Sequence, residues 1–380
     1  MSQSLDDFAS SKLAGLERSA LRRRLVTTAR SAGAQVARGG ASLISFSCND
    51  YLNLSTDPAV IEAAVAATRR YGAGAGSSRL VTGDHPLYRA LEQKLAALKG
   101  TEDCMVFGSG YLANSGIMPA LMGAGDVIFV DEWAHACIHA GAKLSGAQVV
   151  RFAHNDVGQL AALLERERGK AGRALIATDT VFSMDGDCAP LEALAALAAR
   201  HDAWLLADDA HGLGVVERKV RGVALQMGTL SKSVGAYGGY LCASAVVCEL
   251  LRNRARSFVY TTGLPPGVIG AAIAGVERIA TDADYCARPL QHARMFTTAV
   301  GLPAPESAIV PVILGAADRA LAAQALLEQA GFLVAAIRPP TVPEGTARLR
   351  FTFTAQHEVA DIQRLADLVR REILPRGVLT

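Results

Sequence analysis

The sequence predicts an α/β fold: a mostly parallel central sheet covered by helices, with a smaller α+β unit after it. Three observations predict this. Helical runs alternate with short apolar, β-rich runs, as in LYRALEQKLAALKG then CMVFGSG, QLAALLERERGK then ALIATDTVFS, and LEALAALAARHD then AWLLADD. The short runs are apolar throughout rather than alternating, as expected of parallel strands buried on both faces. Finally, the rhythm changes after Gly263-Leu264-Pro265-Pro266, where a long helical region ending near Phe296 leads into a tail of different order.

Residues up to about Gly40 read as a helix, Leu13 to Arg30, and a Gly/Ala/Ser break. ASLISFSCNDYLNLS (Ala41–Ser55) reads as a strand and a turn. The alternating helices and strands follow. The tail, with AIVPVILG, RALAAQALLEQAGFLVAAIRPP, RLRFTFT and a helix from Glu358, reads as β-α-β-β-α. Three units are expected: an N-terminal helical segment, 1–45; a large α/β domain, 46–283; and a small α+β domain, 284–380.

Composition excludes several function classes. The chain of 380 residues is 51% hydrophobic and 19% charged, enough for large cores, and its net charge of +2 offers no bulk attraction for nucleic acid or membrane. Seven cysteines are scattered without a CxxC pair, so neither a disulfide framework nor a zinc site is indicated. The polar, acidic start is not a signal peptide, and no uninterrupted apolar run is long enough to span a bilayer. A cytoplasmic protein is expected.

The chemistry concentrates between Trp204 and Gly239, in WLLADDAHGLGVV and LQMGTLSKSVGAYGG. Strand ends that bring an acid, an imidazole and a lone lysine together meet the needs of a pyridoxal phosphate (PLP) enzyme. The lysine holds the aldehyde, and an aspartate keeps the pyridine nitrogen protonated so that the ring can act as electron sink. Singly, each residue has a plainer reading: Asp208-Asp209 as a helix cap, His211 as a structural histidine, Lys232 as a solvated lysine. The flanks Thr229, Ser231, Ser233, Gly235, Gly238 and Gly239 suit a loop that approaches a bound group closely rather than a solvated helix face.

Other motifs are more ambiguous. FGSGYLANSGIMPAL runs from a strand into a helix, which places free N–H groups at a helix N-terminus; a phosphate seat and a plain tight turn both fit. Gly72, Gly74 and Gly76 resemble a dinucleotide fingerprint but follow a helical run and have Ser77 in the third place, and GTLSKS lacks the glycine spacing of a P-loop. DEWAHACIH holds His135 and His139 four apart without a metal-binding pattern around them; one imidazole stacked on an aromatic cofactor fits as well. Ser183 in TVFSMDGD can reach a ligand oxygen, and IRPPTVPEGTARLRF offers Arg338, Thr341, Arg348 and Arg350, whose guanidinium forks suit carboxylates.

In this order the motifs resemble the α-oxoamine synthase family of fold-type I PLP enzymes. The resemblance runs from LRRR at Leu21 through SCNDYLNLS, FGSGYLAN, DEWAHA, FAHNDV, VFSMDGD, DDAHG, TLSK and YTTGLPP to IRPPTVP and RLR. DDAHG, FAHNDV and IRPPTVP are similar to the branch that joins L-alanine to a pimeloyl thioester, on coenzyme A or acyl carrier protein, in biotin biosynthesis. The alternative is a glycine-using branch that makes 2-amino-3-ketobutyrate or 5-aminolevulinate. The resemblance implies an enzyme with catalytic Lys232, Asp208, His211 and His135, the last stacked on the cofactor ring. It implies cofactor contacts from Gly110, Tyr111, Ser183 and Thr229, and from Thr261 or Thr262 to a neighbouring subunit in a homodimer. Arg22, His135, Arg338, Thr341 and Arg350 are the implied substrate contacts, Arg350 for the amino acid carboxylate. One departure stands out: the stretch Gly212 to Gly228 is several residues shorter than in the family.

Overall fold

The computed structural model describes residues 4–19, 21–31, 33–216 and 221–376. Its first helix, α1 (Leu5–Arg18), starts earlier than the sequence suggests. The Ser4 hydroxyl accepts from the Asp7 N–H at 3.1 Å, and Asp6 and Asp7 occupy the first turn, where carboxylates oppose the helix dipole favourably. The expected continuation to Arg30 is corrected: the helix ends at Arg18, and Thr28–Arg30 is a strand, β1, paired antiparallel with β2 (Gln35–Arg38). β2 pairs with β3 (Ala41–Ser45), and β12 (Phe332–Leu333) from the far end of the chain joins β3 in parallel.

Between these lies a seven-stranded sheet of β4 (Asp103–Phe107), β5 (Val127–Asp131), β6 (Gln148–Phe152), β7 (Ala174–Asp179), β8 (Trp204–Asp208), β9 (Leu225–Thr229) and β10 (Gly239–Ala243). The spatial order is β4-β10-β9-β8-β7-β5-β6. β10 runs antiparallel to both of its neighbours; the other pairings are parallel. Successive residues point to opposite faces, and both faces are covered. Met105, Phe107 and Leu241 pack with α4 (Gly110–Leu121), α5 (Ala136–Ser145), α8 (Ala245–Arg254) and α9 (Arg256–Val259). Val106, Tyr240 and Cys242 pack with α2 (Pro58–Tyr71), α3 (Pro86–Lys99) and α10 (Pro266–Thr281). Phe129, Ile176 and Leu205 pack with α6 (Val157–Glu167) and α7 (Leu191–Arg200).

The expected long helical region is two helices, α10 and α11 (Ala283–Val300), which meet at Asp282. Asp282 ends the first and caps the second, its carboxylate accepting from the Tyr285 N–H at 3.0 Å. The tail forms a three-stranded sheet, ordered β11 (Ile309–Gly315), β14 (Ala347–Thr352), β13 (Ala335–Ile337). Its core includes Phe296, Val312, Leu349, Phe351 and Leu365, shared with α11, α12 (Ala317–Gln329) and α13 (Val359–Leu368). Of the connection from Gly212 to Gly228, residues 217–220 lie outside the described residues. Among the described residues no helix is long and apolar enough to cross a membrane.

Candidate active site

Six strands of the large sheet, all but β10, deliver their C-terminal ends to one edge, and the chain there carries the functional side chains. β8 ends at Asp208, two residues before Ala210 and three before His211. β9 ends at Thr229 and turns through Leu230–Gly238 into β10. This turn is held by Leu230 N–H to Gly238 O at 3.0 Å, Ala236 N–H to Leu230 O at 2.9 Å and Gly235 N–H to Lys232 O at 3.0 Å. Gly235 has φ +72°, and a Cβ there would meet the Leu54 carbonyl carbon at 2.4 Å, so no other residue fits. Lys232 is half-buried on this turn.

Lys232 Nζ lies 2.8 Å from His211 Nε2. His211 is buried, and its Nδ1 lies 2.7 Å from the Tyr51 hydroxyl. Burial holds the lysine below the ordinary amine range; the Asp208 and Asp179 carboxylates oppose that pull. His211 is pushed well below the ordinary imidazole range, first by burial and then by the Lys232 and Arg350 charges. It is a neutral ring. Asp208 is buried and takes three neutral donors, Asn114 Nδ2 at 2.8 Å, the Ala210 N–H at 3.0 Å and the Cys137 thiol at 4.0 Å. Asp179, fully buried beside it, is pushed well above the carboxylate range by burial and by the Asp208 charge.

His135 is the N-cap of α5, outside the helix, so it and His139, four residues apart, do not share a helix face. Its backbone N–H donates to Asp179 Oδ2 at 2.7 Å, and its Nδ1 lies 2.8 Å from Cys137 Sγ. Cys137 also receives Asn114 Nδ2 at 3.2 Å; burial pushes its thiol up to about 12, so it stays protonated. Gly110 opens α4, where the first helical N–H groups lack intrahelical partners. A Cβ at Gly110 would stand 3.2 Å from Met227 Cε, so the glycine keeps that approach open. Thr229 Oγ1 donates to Gly238 O at 2.8 Å and lies 2.8 Å from Ser231 Oγ.

On the far side, Arg350 on β14 is buried. Its Nε donates to the Ser183 carbonyl, and both terminal nitrogens donate to Asn49 Oδ1 at 3.2 Å. Arg348 is tied instead to Asp185. The outer residues stand apart. Arg22 is exposed and paired with Glu17 at 3.2 Å, while the adjacent Arg23 reaches Thr341 Oγ1 at 3.0 Å. Arg338 shares that loop: its carbonyl accepts the Thr341 N–H at 3.1 Å. Thr262 forms an isolated antiparallel bridge with Ser78, with Thr261 and the exposed Tyr260 beside it.

A second charged cluster sits on the same edge. His154, after β6, meets Asp131 Oδ1 through Nδ1 at 3.2 Å and Asp187 Oδ2 through Nε2 at 2.7 Å. Asn155 binds both carboxylates as well, by its N–H at 2.9 Å and by Nδ2 at 2.9 Å. Trp133 stacks on the ring, with centroids 4.0 Å apart. Burial pulls the imidazole down, but the two carboxylates outweigh it and hold the pKa at about 9.

Sequence reasoning passes over Asn49, Tyr51, Asn114, Cys137 and Asp179. Four of them lie inside quoted motifs (SCNDYLNLS, FGSGYLAN, DEWAHACIH); what was missing was the long-range pairing that gives them work. Asp179 ends a strand in ALIATD, as Asp208 does in WLLAD, and that parallel is the available signal.

The model of the aminotransferase class I and II family matches residues 41–369, which include the lysine, the carboxylates and the imidazoles of this edge. A protein of Acidiphilium cryptum is 68% identical over 376 residues, 97% of this chain and 98% of its own. The 8-amino-7-oxononanoate synthase of Granulibacter bethesdensis is 59% identical over 373 residues, again 97% and 98%. A solved structure of SPT with PLP superposes with a TM-score of 0.92 at 29% identity, over 99% of this chain and 100% of that one. The chain belongs to the 8-amino-7-oxononanoate synthase family.

Proposed function

We propose that this chain is a PLP-dependent acyltransferase that condenses L-alanine with a pimeloyl thioester, releasing 8-amino-7-oxononanoate, CO2 and the free thiol, as a step of biotin synthesis. The observation that carries the chemistry is Lys232, half-buried and held below its ordinary pKa, beside Asp208 and neutral His211. The near-full-length likeness to the Granulibacter protein supports L-alanine and the pimeloyl group over a glycine-using reaction.

The residues fit PLP. Lys232 offers an amine held below its ordinary pKa, and Asp208 offers a buried carboxylate whose donors are all neutral groups. When bound, PLP supplies the electron sink for the carbon next to the substrate carboxylate. Asp208, oriented by Asn114, keeps the ring nitrogen protonated. A charge-assisted hydrogen bond of that kind is worth roughly 1.5–3 kcal/mol. His135 would stack on the ring, and His211 would hydrogen-bond its phenolic oxygen. Gly110 and Tyr111 give backbone N–H groups, and Ser183 and Thr229 give hydroxyls. Lys232 takes the α-proton from the amino acid and later returns one to the same carbon. Arg350 exchanges its hold on Asn49 for the bidentate grip of the amino acid carboxylate. Arg22, Arg338 and Thr341 attend to the thioester substrate.

The active form proposed is a cytoplasmic homodimer. Leu80, Val81 and Tyr260 are exposed on either side of the Ser78–Thr262 bridge, an apolar patch suited to a second subunit whose phosphate Thr261 or Thr262 would reach. For organisation we place the units at 1–45, 46–283 and 284–380, the second boundary following the break at Asp282.

The test is a visible absorption spectrum of the purified protein, followed by additions of L-alanine, glycine and pimeloyl-CoA, with mass spectrometry of the product. A band that responds to L-alanine, together with 8-amino-7-oxononanoate, is expected. A response to glycine alone would move the chain to the glycine-using reaction.

A further inference from the structure

Tyr51 is fully buried in the turn after β3, packed with Val181, Val215 and Ile309. Its phenol lies 2.7 Å from His211 Nδ1 and 3.3 Å from Asn49 Oδ1. His211 turns its other nitrogen to Lys232 at 2.8 Å, and Asn49 Oδ1 accepts from both terminal nitrogens of Arg350. A run of close polar contacts therefore joins Arg350 to Lys232.

The proton inventory leaves this run two arrangements. A neutral imidazole has one N–H and one lone pair, a phenol has one proton, an ammonium only donates, and a free amine can accept. In the first arrangement Tyr51 donates to Nδ1, the ring proton stands on Nε2, and the Lys232 amine accepts it. In the second, Lys232 is an ammonium that donates to Nε2. The ring proton then moves to Nδ1, the phenol accepts it, and the phenol's own proton turns to Asn49. His211 stays neutral in both.

We infer that Tyr51 is a positioning residue that fixes the tautomer of His211, placing the ring N–H on Nε2 toward Lys232 and favouring the lysine as a free amine. The inference rests on the reading of Lys232 as the amine that moves the substrate proton. Two distances decide for the first arrangement: the phenol is 0.6 Å nearer to Nδ1 (2.7 Å) than to Asn49 Oδ1 (3.3 Å). The Asn49 oxygen is also already shared by two Arg350 donors. Burial pushes the phenol up to about 12, so it always has a proton to give. The other groups facing the pair are Asp208, Asp179, Cys137 and Arg350 around Lys232, and Arg350 and His135 around His211. All of them are unchanged in a Tyr51→Phe variant, which removes a single oxygen and keeps the core volume.

The experiment is ¹⁵N NMR of the histidine rings in the full-length labelled protein, with and without PLP, the His211 signals being those lost in His211→Asn. In the unsubstituted protein Nε2 should be protonated and Nδ1 bare in both states. In Tyr51→Phe the two nitrogens should move toward a mixture. The apparent pKa of Lys232, read as the pH dependence of its reaction with PLP, should rise by about one unit, a tenfold shift of the amine's equilibrium. Asn49→Ala deletes the alternative acceptor, so Nε2 should stay protonated and the lysine pKa should not rise. A bare Nε2 in the unsubstituted protein overturns the inference, and so does a Tyr51→Phe spectrum unchanged at His211. Failure to form product from L-alanine and pimeloyl-CoA would sink the proposed reaction yet leave these ring signals readable.

Discussion

His211 and His154 stand on the same sheet edge, yet they are in opposite charge states. Burial penalises the imidazolium in both. His211 faces Lys232 and Arg350, both cationic when charged, and so stays neutral. His154 faces Asp131 and Asp187 at hydrogen-bond distance and holds its proton to about pH 9. The difference teaches that burial alone does not set the role of a histidine here; the neighbours decide between a neutral ring and a ring that acts as a fixed positive rivet. The rivet joins three connections: the one bearing Trp133 and His135, the one bearing Ser183 and Asp187, and its own.

The comparison can be broken at four places. Replacing Lys232 with alanine removes the proton carrier, and turnover should fall by at least ~10²–10⁴-fold, with loss of the visible band of bound PLP; a turnover near that of the unsubstituted chain defeats the assignment. Asp208→Asn keeps the Asn114 contact but removes the charge that holds the ring proton. Its turnover should drop roughly ten- to hundredfold while PLP still binds, as a spectral titration reads directly.

His154→Gln tests the rivet. The folded pKa of about 9 exceeds the unfolded value of 6.5, so the imidazolium stabilises the fold in full below pH 6.5 and loses that contribution as pH rises through about 9. Denaturant melts should show a gap of about 2 kcal/mol between the two proteins at pH 6, closing by pH 10; a gap that does not change with pH would mean His154 is neutral. Trp133→Ala gives the smallest effect. Loss of the stacked ring at 4.0 Å should cost about 0.5–1 kcal/mol and lower the His154 pKa slightly, with the Lys232 pH profile unmoved.

The sequence makes the acid, imidazole and lysine of the site legible because Asp208, His211 and Lys232 lie close along the chain and their strands end in recognisable turns. It hides Tyr51, whose hydroxyl meets a ring 160 residues away, and Asn49, which meets Arg350 301 residues away. Periodicity cannot carry pairings of that range. The same limit separates Arg22 from Arg23: adjacent residues, of which only the second faces Thr341. The alternating helices and strands of the large sheet are readable because each strand is buried on both faces. The N-terminus is misread because its helix is set by the Ser4 cap rather than by an apolar stripe; α1 has no buried residue.

The antiparallel β10 has a mechanical consequence. A parallel successor to β9 would need a crossover of a dozen or more residues, free to sway as a unit. The reversal instead returns the chain within 230–238 and anchors both ends of that turn in the middle of the sheet. Lys232 is thus a jib on a fixed mast. Its backbone is tied at both ends to interior strands, which leaves the reach of the amine to the torsions of a single side chain.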